Sequence, residues 1–180
     1  MFKKVCIIGC GLIGSSLARA NKKNNLAQLI VSSNRSEDVN KKVIELKIVD
    51  ESGQDTKKMV KDSDLIIIAT PLSSYENVIL KIKDSLKEGS ILTDVGSVKK
   101  SVVDLVEKHI SKNISWIPSH PIAGTEESGP EAGFSDLFQK RWCIMTPSKK
   151  AKEKDINLLK TFWEKIGSKV DIMDTTQHDY

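Results

Sequence analysis

Two segments of the sequence carry residue types that can do chemistry on a small molecule. The first is "GCGLIG" at 9–14, whose glycines permit a tight turn, a close approach of backbone to a phosphate and close helix packing. The second is "SHPIAGTEESGPEAG" at 119–133. Its histidine, His120, precedes a proline, which restricts it to extended geometry and so fixes its direction. An imidazole with an ordinary pKa near ~6.5 suits proton transfer at neutral pH.

The glycine segment lies where a dinucleotide-binding loop belongs. An apolar, β-branched run precedes it, and helical spacing follows it. The free N–H groups at the start of that helix provide an anion site. We therefore predict that the pyrophosphate of a dinucleotide binds at Gly9, Gly11, Leu12, Ile13 and Gly14. The alternative is a glycine-rich turn that binds nothing.

The end of the second predicted strand bears on the choice between NAD and NADP. It reads "SSNRS" at 32–36, and Asn34 stands where a carboxylate usually holds the ribose 2′-hydroxyl. Without a carboxylate a 2′-phosphate is not repelled, and Arg35 can pair with it in a bidentate way. We expect Asn34, Arg35 and Ser36 to contact the cofactor and favour NADP, with NAD as the alternative. A turn asparagine beside a surface arginine is the simpler explanation.

Other candidate residues follow the remaining strands, at the edge where ligands bind in a doubly wound sheet. Thr70 and Pro71 follow "DLIIIA" and are expected to wall the cofactor site. Ser97 follows "SILTDVG" at the start of a predicted helix, where an N-cap role is the simpler explanation. His120 follows "SWIP".

Strand and helix patterns alternate almost throughout, which requires crossover helices and a mainly parallel sheet. The pattern predicts an α/β, Rossmann-type doubly wound sheet with helices on both faces. Strands are expected over 3–9, 28–33, 64–70, 90–96, 115–120, 141–147 and 169–174, and helices over 12–24, 36–47, 56–63, 75–86, 98–110 and 152–167. The segment "IVDES" at 48–52 is a candidate for a further short strand. We assign residues 1–174 to one NAD(P)-binding domain and 175–180 to a short stub.

The composition excludes several classes of protein. The chain has 180 residues, 39% hydrophobic and 29% charged, and its net charge of +4 comes from scattered lysines. No basic block interleaved with aromatics points to nucleic acid, and no apolar run reaches membrane-spanning length. Its 3 cysteines form no CxxC pair, so neither a zinc site nor a disulfide framework is expected. We expect a metal-free cytoplasmic protein.

Five segments together resemble the prephenate/arogenate dehydrogenase family of tyrosine biosynthesis. They are "GCGLIGSSLARA", "DLIIIATPL", "LTDVGSVK", "SHPIAGTEESGPEAGF" and "LFQKRWCIMTP", in the family's order and at its separations. "HPIAGTE" combined with "DVGSVK" is far more specific than the glycine pattern. The resemblance covers essentially the whole chain and corresponds to the family's N-terminal dinucleotide-binding domain.

The resemblance implies an oxidative decarboxylation of prephenate or arogenate, in which hydride passes to NAD(P)+. In this family pattern His120 accepts the proton of the ring hydroxyl, and Ser97 hydrogen-bonds and orients that hydroxyl. Thr125 and Glu126 match positions that line the substrate pocket. The sequence does not distinguish the two substrates.

The chain departs from the family at its end. The family continues into a C-terminal helical domain that forms the dimer and supplies an arginine for the substrate carboxylates, and this sequence ends at "HDY", about where that domain begins. We therefore expect the helical domain to be absent and the chain to bind NAD(P) as a monomer or weak dimer, with weak or no dehydrogenase activity. The alternatives are a non-catalytic NADP-binding module and another NADP-dependent hydroxyacid or imine dehydrogenase.

Overall fold

Six parallel strands form the central sheet of the structure, a computed structural model that describes residues 1–179. The strands are β1 (Phe2–Ile8), β2 (Ala27–Ser33), β3 (Glu51–Gly53), β4 (Leu65–Ile68), β5 (Ile91–Asp94) and β6 (Ser115–Trp116). Their spatial order is β3-β2-β1-β4-β5-β6. The chain moves outward from β1 first to one side and then to the other, so its topological switch point lies between β1 and β4. The predicted Rossmann-type architecture is confirmed.

Seven α-helices are present in residues 1–179. They are α1 (Leu12–Lys23), α2 (Glu37–Glu45), α3 (Thr56–Val60), α4 (Tyr75–Ile82), α5 (Lys100–Glu107), α6 (Glu153–Lys165) and α7 (Thr175–Asp179). The start of α2 shows how local sequence determines where a helix begins. The Ser36 hydroxyl accepts a hydrogen bond from the Val39 N–H, and two acidic residues fill the first turn. None of these helices is long and apolar enough to span a membrane.

The central sheet is buried on both faces because side chains alternate along each strand. In β1, Val5 and Ile7 belong to one apolar cluster, and Cys6 and Ile8 belong to the other. The first cluster includes side chains of α1 and α6, and the second includes side chains of α3, α4 and α5. Double coverage explains the uninterrupted apolar run of β4. All three cysteines are buried free thiols.

A second, smaller sheet follows the central one. It contains β7 (Ser119–Pro121), β8 (Trp142–Met145) and β9 (Lys169–Ile172), with β7 antiparallel to β8 and β8 parallel to β9. The single strand predicted over 115–120 is therefore wrong. The chain leaves the central sheet at Pro118, which has no N–H to donate to a ladder. Its carbonyl instead accepts from the Thr146 N–H at 2.9 Å, next to β8.

Candidate functional site

A cavity of about 830 Å³ opens beyond the carboxyl ends of β1, β2 and β4. This is the switch-point position where open α/β sheets bind ligands. The lining residues that the structure describes include two cations, Arg35 and Lys81, and no Asp or Glu. A cavity with this charge pattern suits a ligand that carries phosphate groups.

The glycine turn forms the floor of this cavity. Gly9 has φ +95, and a Cβ on Gly14 would lie 1.9 Å from the Gly9 carbonyl oxygen, so both positions require glycine. A Cβ on Gly11 would meet nothing within 4 Å, because this glycine faces the open cavity. The Ser15 N–H bonds to the Gly11 carbonyl, which leaves the N–H groups of residues 12–14 at the helix start for an anion.

Thr70 and Pro71 form part of the opposite wall, after β4. The Thr70 hydroxyl is buried and has no hydrogen-bond partner among the described residues. A buried hydroxyl without a partner is costly, so a ligand atom that bonded to it would relieve that cost. The glycine turn, the helix start and this hydroxyl together fit a dinucleotide.

Asn34 lines the cavity, but its side chain is engaged within the protein. Its Oδ1 accepts from the Cys10 N–H at 2.6 Å, and its Nδ2 donates to Asn40 Oδ1 at 2.9 Å. Asn34 therefore fixes the glycine turn against the end of β2. Its neighbours Arg35 and Ser36 also line the cavity, as the sequence predicts.

Ser97 lies on an exposed turn after β5, and the cavity reaches its neighbour Gly96. The N-cap interpretation of Ser97 is wrong, because α5 begins at Lys100 and its N-cap residue is Lys99. The Asp179 carboxylate instead accepts from the backbone N–H groups of Lys99 and Lys100, each at 3.1 Å.

His120 lies in β7 and is partly buried. Its Nδ1 is 2.8 Å from Nε2 of His178 in α7. Burial lowers the pKa of His120, and the nearby His178 and Lys99 lower it further, against an opposing effect of Asp94. The imidazole is therefore neutral near pH 7 and able to accept a proton.

A fully buried ion pair connects the Ser97 turn to the His120 strand. Lys99 Nζ lies 2.6 Å and 2.7 Å from the two carboxylate oxygens of Asp94, and it also donates to the Ser119 carbonyl at 2.8 Å. Asp94 in turn accepts from the Ser119 N–H at 3.0 Å and from the Tyr75 hydroxyl at 2.8 Å. Burial lowers the pKa of Lys99, an effect that Asp94 only partly offsets.

Sequence reasoning assigned no role to this pair, although both residues stand in the quoted "LTDVGSVK". The available signal was a lysine five residues after an aspartate, across a glycine turn.

Thr125 and Glu126 lie apart from the cofactor cavity. Both are exposed on the loop that follows β7, and neither lines the cavity. The Thr125 hydroxyl accepts from the Glu127 N–H at 3.1 Å, a local turn interaction. Their expected contact with substrate stays a prediction.

The same loop returns to the cofactor site. Gly129 and Pro130 line the cavity, and Arg19 of α1 donates to the Pro130 carbonyl at 2.8 Å. The Ser16 hydroxyl accepts from the Phe134 N–H at 3.1 Å. The loop is thus anchored on the helix that starts at the glycine turn.

Several further polar residues of the cavity had no assignment from the sequence: Gln54, Thr56, Ser74, Asn77 and Lys81. Gln54 comes directly after β3, so its position at a strand end was a usable signal. Asn77 and Lys81 are one turn apart on α4. Nothing in their spacing separated them from an ordinary solvent-facing helix surface.

Comparisons with known proteins agree with this geometry. A family model described as prephenate dehydrogenase, nucleotide-binding domain, matches residues 17–172. A cyclohexadienyl dehydrogenase of Zymomonas mobilis is 36% identical over 180 residues, which are 100% of this chain and 61% of that protein. The family-model match begins at residue 17, after the glycine turn, whereas the match to this relative includes the turn.

Two crystal structures show the same arrangement of elements. Prephenate dehydrogenase from A. aeolicus, in complex with hydroxyphenyl propionate and NAD+, has a TM-score of 0.92 at 30% identity and covers 100% of this chain. Synechocystis arogenate dehydrogenase has a TM-score of 0.86 at 27% identity and covers 98% of it. The matched regions are 63% and 61% of those two chains, so this chain spans less than two thirds of their length.

Proposed function

This chain belongs to the family of prephenate dehydrogenase nucleotide-binding domains, and on that premise we propose that it serves an NAD(P)-dependent oxidative decarboxylation of prephenate or arogenate. The chain would bind the dinucleotide in the cavity beside the glycine turn and supply the proton-accepting side of the reaction. The cysteines, all buried and free, are compatible with the cytoplasmic location expected from the sequence.

One observation carries this proposal. The cavity reaches Gly96, one residue before Ser97, and the buried Asp94–Lys99 pair bonds to the backbone of Ser119, one residue before His120. The turn that contains Ser97 and the strand that contains His120 are therefore joined by one buried ion pair, next to a turn that the cavity reaches. Such rigid support is what a reacting geometry requires.

The assigned roles follow from the chemistry of each group. A nicotinamide bound in the cavity would take the hydride from the carbon that bears the substrate hydroxyl. Ser97, with a hydroxyl that both donates and accepts, would orient the substrate hydroxyl. His120 would accept its proton, because its lowered pKa keeps the imidazole neutral. The resulting ketone lies para to a carboxylate-bearing carbon, so loss of CO₂ yields an aromatic ring.

We propose NADP as the preferred cofactor and NAD as the alternative. Arg35 and Lys81 supply positive charge to the cavity, and no carboxylate among the described lining residues opposes a 2′-phosphate. Arg35 follows the strand end where the ribose is expected, and a guanidinium pairs with phosphate through two parallel hydrogen bonds.

The test is a turnover assay of the full-length protein. Prephenate and arogenate are each supplied with NAD+ or NADP+, and reduced cofactor and CO₂ are measured together. We expect equal amounts of both products with at least one substrate, because hydride transfer and decarboxylation are coupled in the proposed reaction. Size-exclusion chromatography of the 180-residue chain tests the monomer or weak dimer that the sequence predicts for it.

A different result supports one of the alternatives. Cofactor binding without turnover of either substrate would favour a non-catalytic NADP-binding module. Reduced cofactor formed from another hydroxyacid, and not from prephenate or arogenate, would favour a dehydrogenase for that hydroxyacid. Thermal-shift measurements with each cofactor separate a protein that binds no nucleotide from one that binds it without reacting.

A further inference from the structure

Three side chains form a continuous hydrogen-bonded series from β7 to α5. His120 Nδ1 lies 2.8 Å from His178 Nε2, and His178 Nδ1 lies 2.8 Å from Asp179 Oδ1. We infer that His178 and Asp179 are positioning residues that hold His120 in the tautomer with a free lone pair on Nε2. This inference rests on the proposed role of His120 as the proton acceptor.

The direction of each hydrogen bond follows from what its atoms can do. A carboxylate can only accept, so His178 Nδ1 must carry a hydrogen and donate it to Asp179. With this as its only ring hydrogen, His178 has its lone pair on Nε2. That atom can only accept, so the hydrogen between the two imidazoles belongs to His120 Nδ1. The neutral His120 ring is left with an unprotonated Nε2, the atom that can take a proton from a substrate.

The carboxylate at the end of the series is held in place by backbone. Asp179 accepts from the N–H groups of Lys99 and Lys100 at the start of α5, each at 3.1 Å. Burial acts to raise the pKa of Asp179, but the bonds from His178 and from these two N–H groups outweigh it and lower the pKa. Asp179 is therefore ionised at neutral pH and stays an acceptor.

The surroundings of the two imidazole rings are largely buried and contain a pair of opposite charges. Lys99 and Asp94 lie on the side of α5 and β5, and their charges oppose each other in their effect on His120. The His178 side chain is only 5% exposed, so water does not compete freely for Nε2. The two rings meet edge to face, with centroids 5.0 Å apart, which restricts rotation of His120.

The experiment uses the full-length protein and three variants of the series. His178→Leu removes the acceptor for His120 Nδ1, and we expect kcat to fall roughly 10–100-fold, as when the partner that orients a functional imidazole is lost. His178→Gln places an amide oxygen near the position of Nε2 and should restore most of kcat. Asp179→Asn can donate to His178 and favour the wrong tautomer of both rings, so it should also lower kcat. Cofactor Kd should stay unchanged in all three.

Gln177→Ala is the matched control. Gln177 lies in the same helix, and its side-chain Oε1 accepts from the Asp174 N–H at 3.0 Å at the helix start. The variant loses this bond, which loosens the start of α7 without touching the imidazoles. If α7 acts only as a structural support, this variant and His178→Leu should lower kcat equally, and that result would overturn the inference. A wild-type kcat in His178→Leu would overturn it as well.

Nitrogen NMR of the His120 ring gives a readout that does not depend on turnover. We expect an unprotonated Nε2 and a protonated Nδ1 in the wild type, and a mixture of tautomers in His178→Leu. A wild-type spectrum with the hydrogen on Nε2 would refute the inference even if the enzyme is active. Absence of turnover in the wild type would instead refute the proposed function and leave the tautomer measurement valid.

Discussion

Arg35 is the residue at which cofactor choice can be tested most cleanly. It lines the cavity, and its backbone carbonyl accepts a hydrogen bond from Gln54 at 2.7 Å, which fixes the start of the loop. Substitution of Asn34 by Asp would be a poorer test. The Asn34 amide donates to Asn40 Oδ1, so a carboxylate there would disturb the glycine turn as well as the ribose site.

We predict that Arg35→Ala weakens binding of NADP+ roughly 10–100-fold, the value of a charge-assisted hydrogen bond of about 1.5–3 kcal/mol. The affinity for NAD+ should not change, because NAD+ has no 2′-phosphate. Isothermal titration of both cofactors measures this difference. The matched control is Lys41→Ala, which removes an exposed cation of α2 that does not line the cavity. Equal loss of both cofactors in Arg35→Ala would contradict the assignment.

At the residue scale the sequence predicts the glycine turn but not the buried contacts of Asp94 and Lys99. Gly9, Gly11 and Gly14 form a tight turn next to a helix start, and such a local feature can be recognised in the sequence. Asp94 and Lys99 act through Ser119, far along the chain. Their contacts with Ser119 depend on how β5 and β7 meet in space, which no local pattern encodes.

The loop after β7 lines the cavity through Gly129 and Pro130 and is anchored on α1. Gly133 has an ordinary extended backbone, so glycine is needed there for space and not for conformation. A Cβ on Gly133 would lie 2.2 Å from the Ser15 hydroxyl and 3.1 Å from the Ser16 backbone nitrogen. The loop and α1 therefore touch backbone to backbone just before Phe134.

We predict that Gly133→Ala destabilises the protein by about 1–3 kcal/mol, the usual cost of overpacking a close contact, and weakens cofactor binding. Urea titration and cofactor titration measure the two effects. Gly124→Ala is the control on the same loop, because a Cβ there meets nothing within 4 Å. Equal stability of the two variants would show that the loop is not held against α1 as described.

Secondary-structure elements were predicted well where the central sheet is buried on both faces, because such burial gives the sequence a clear apolar pattern. The strands of the central sheet and their intervening helices all appear, with ends shifted by a few residues. The division of 115–120 into β6 and β7 was missed because Pro118 reads equally well as an edge or an end of a strand. The helix α7 was missed because its partner is the start of α5, which is distant in sequence.

On the scale of the whole molecule, the cavity and His120 belong to different sheets. The central sheet holds the cofactor cavity at its switch point, and the second sheet carries His120. The Asp94–Lys99 pair joins the two sheets through its hydrogen bonds to Ser119, and Asp179 joins α7 to the start of α5. Replacement of His120 should therefore affect the chemistry alone, because its side chain lies outside the cofactor cavity.

The measurement that tests the central claim most directly is kcat of His120→Asn in the full-length protein, taken at saturating NADP+ alongside cofactor Kd. We predict that kcat falls by roughly 10²–10⁴-fold, the contribution of a general base, while the cofactor binds as in the wild type. An unchanged kcat would contradict the assignment of His120. A parallel loss of cofactor binding would show that His120 also contributes to the cofactor site, contrary to its position in the second sheet.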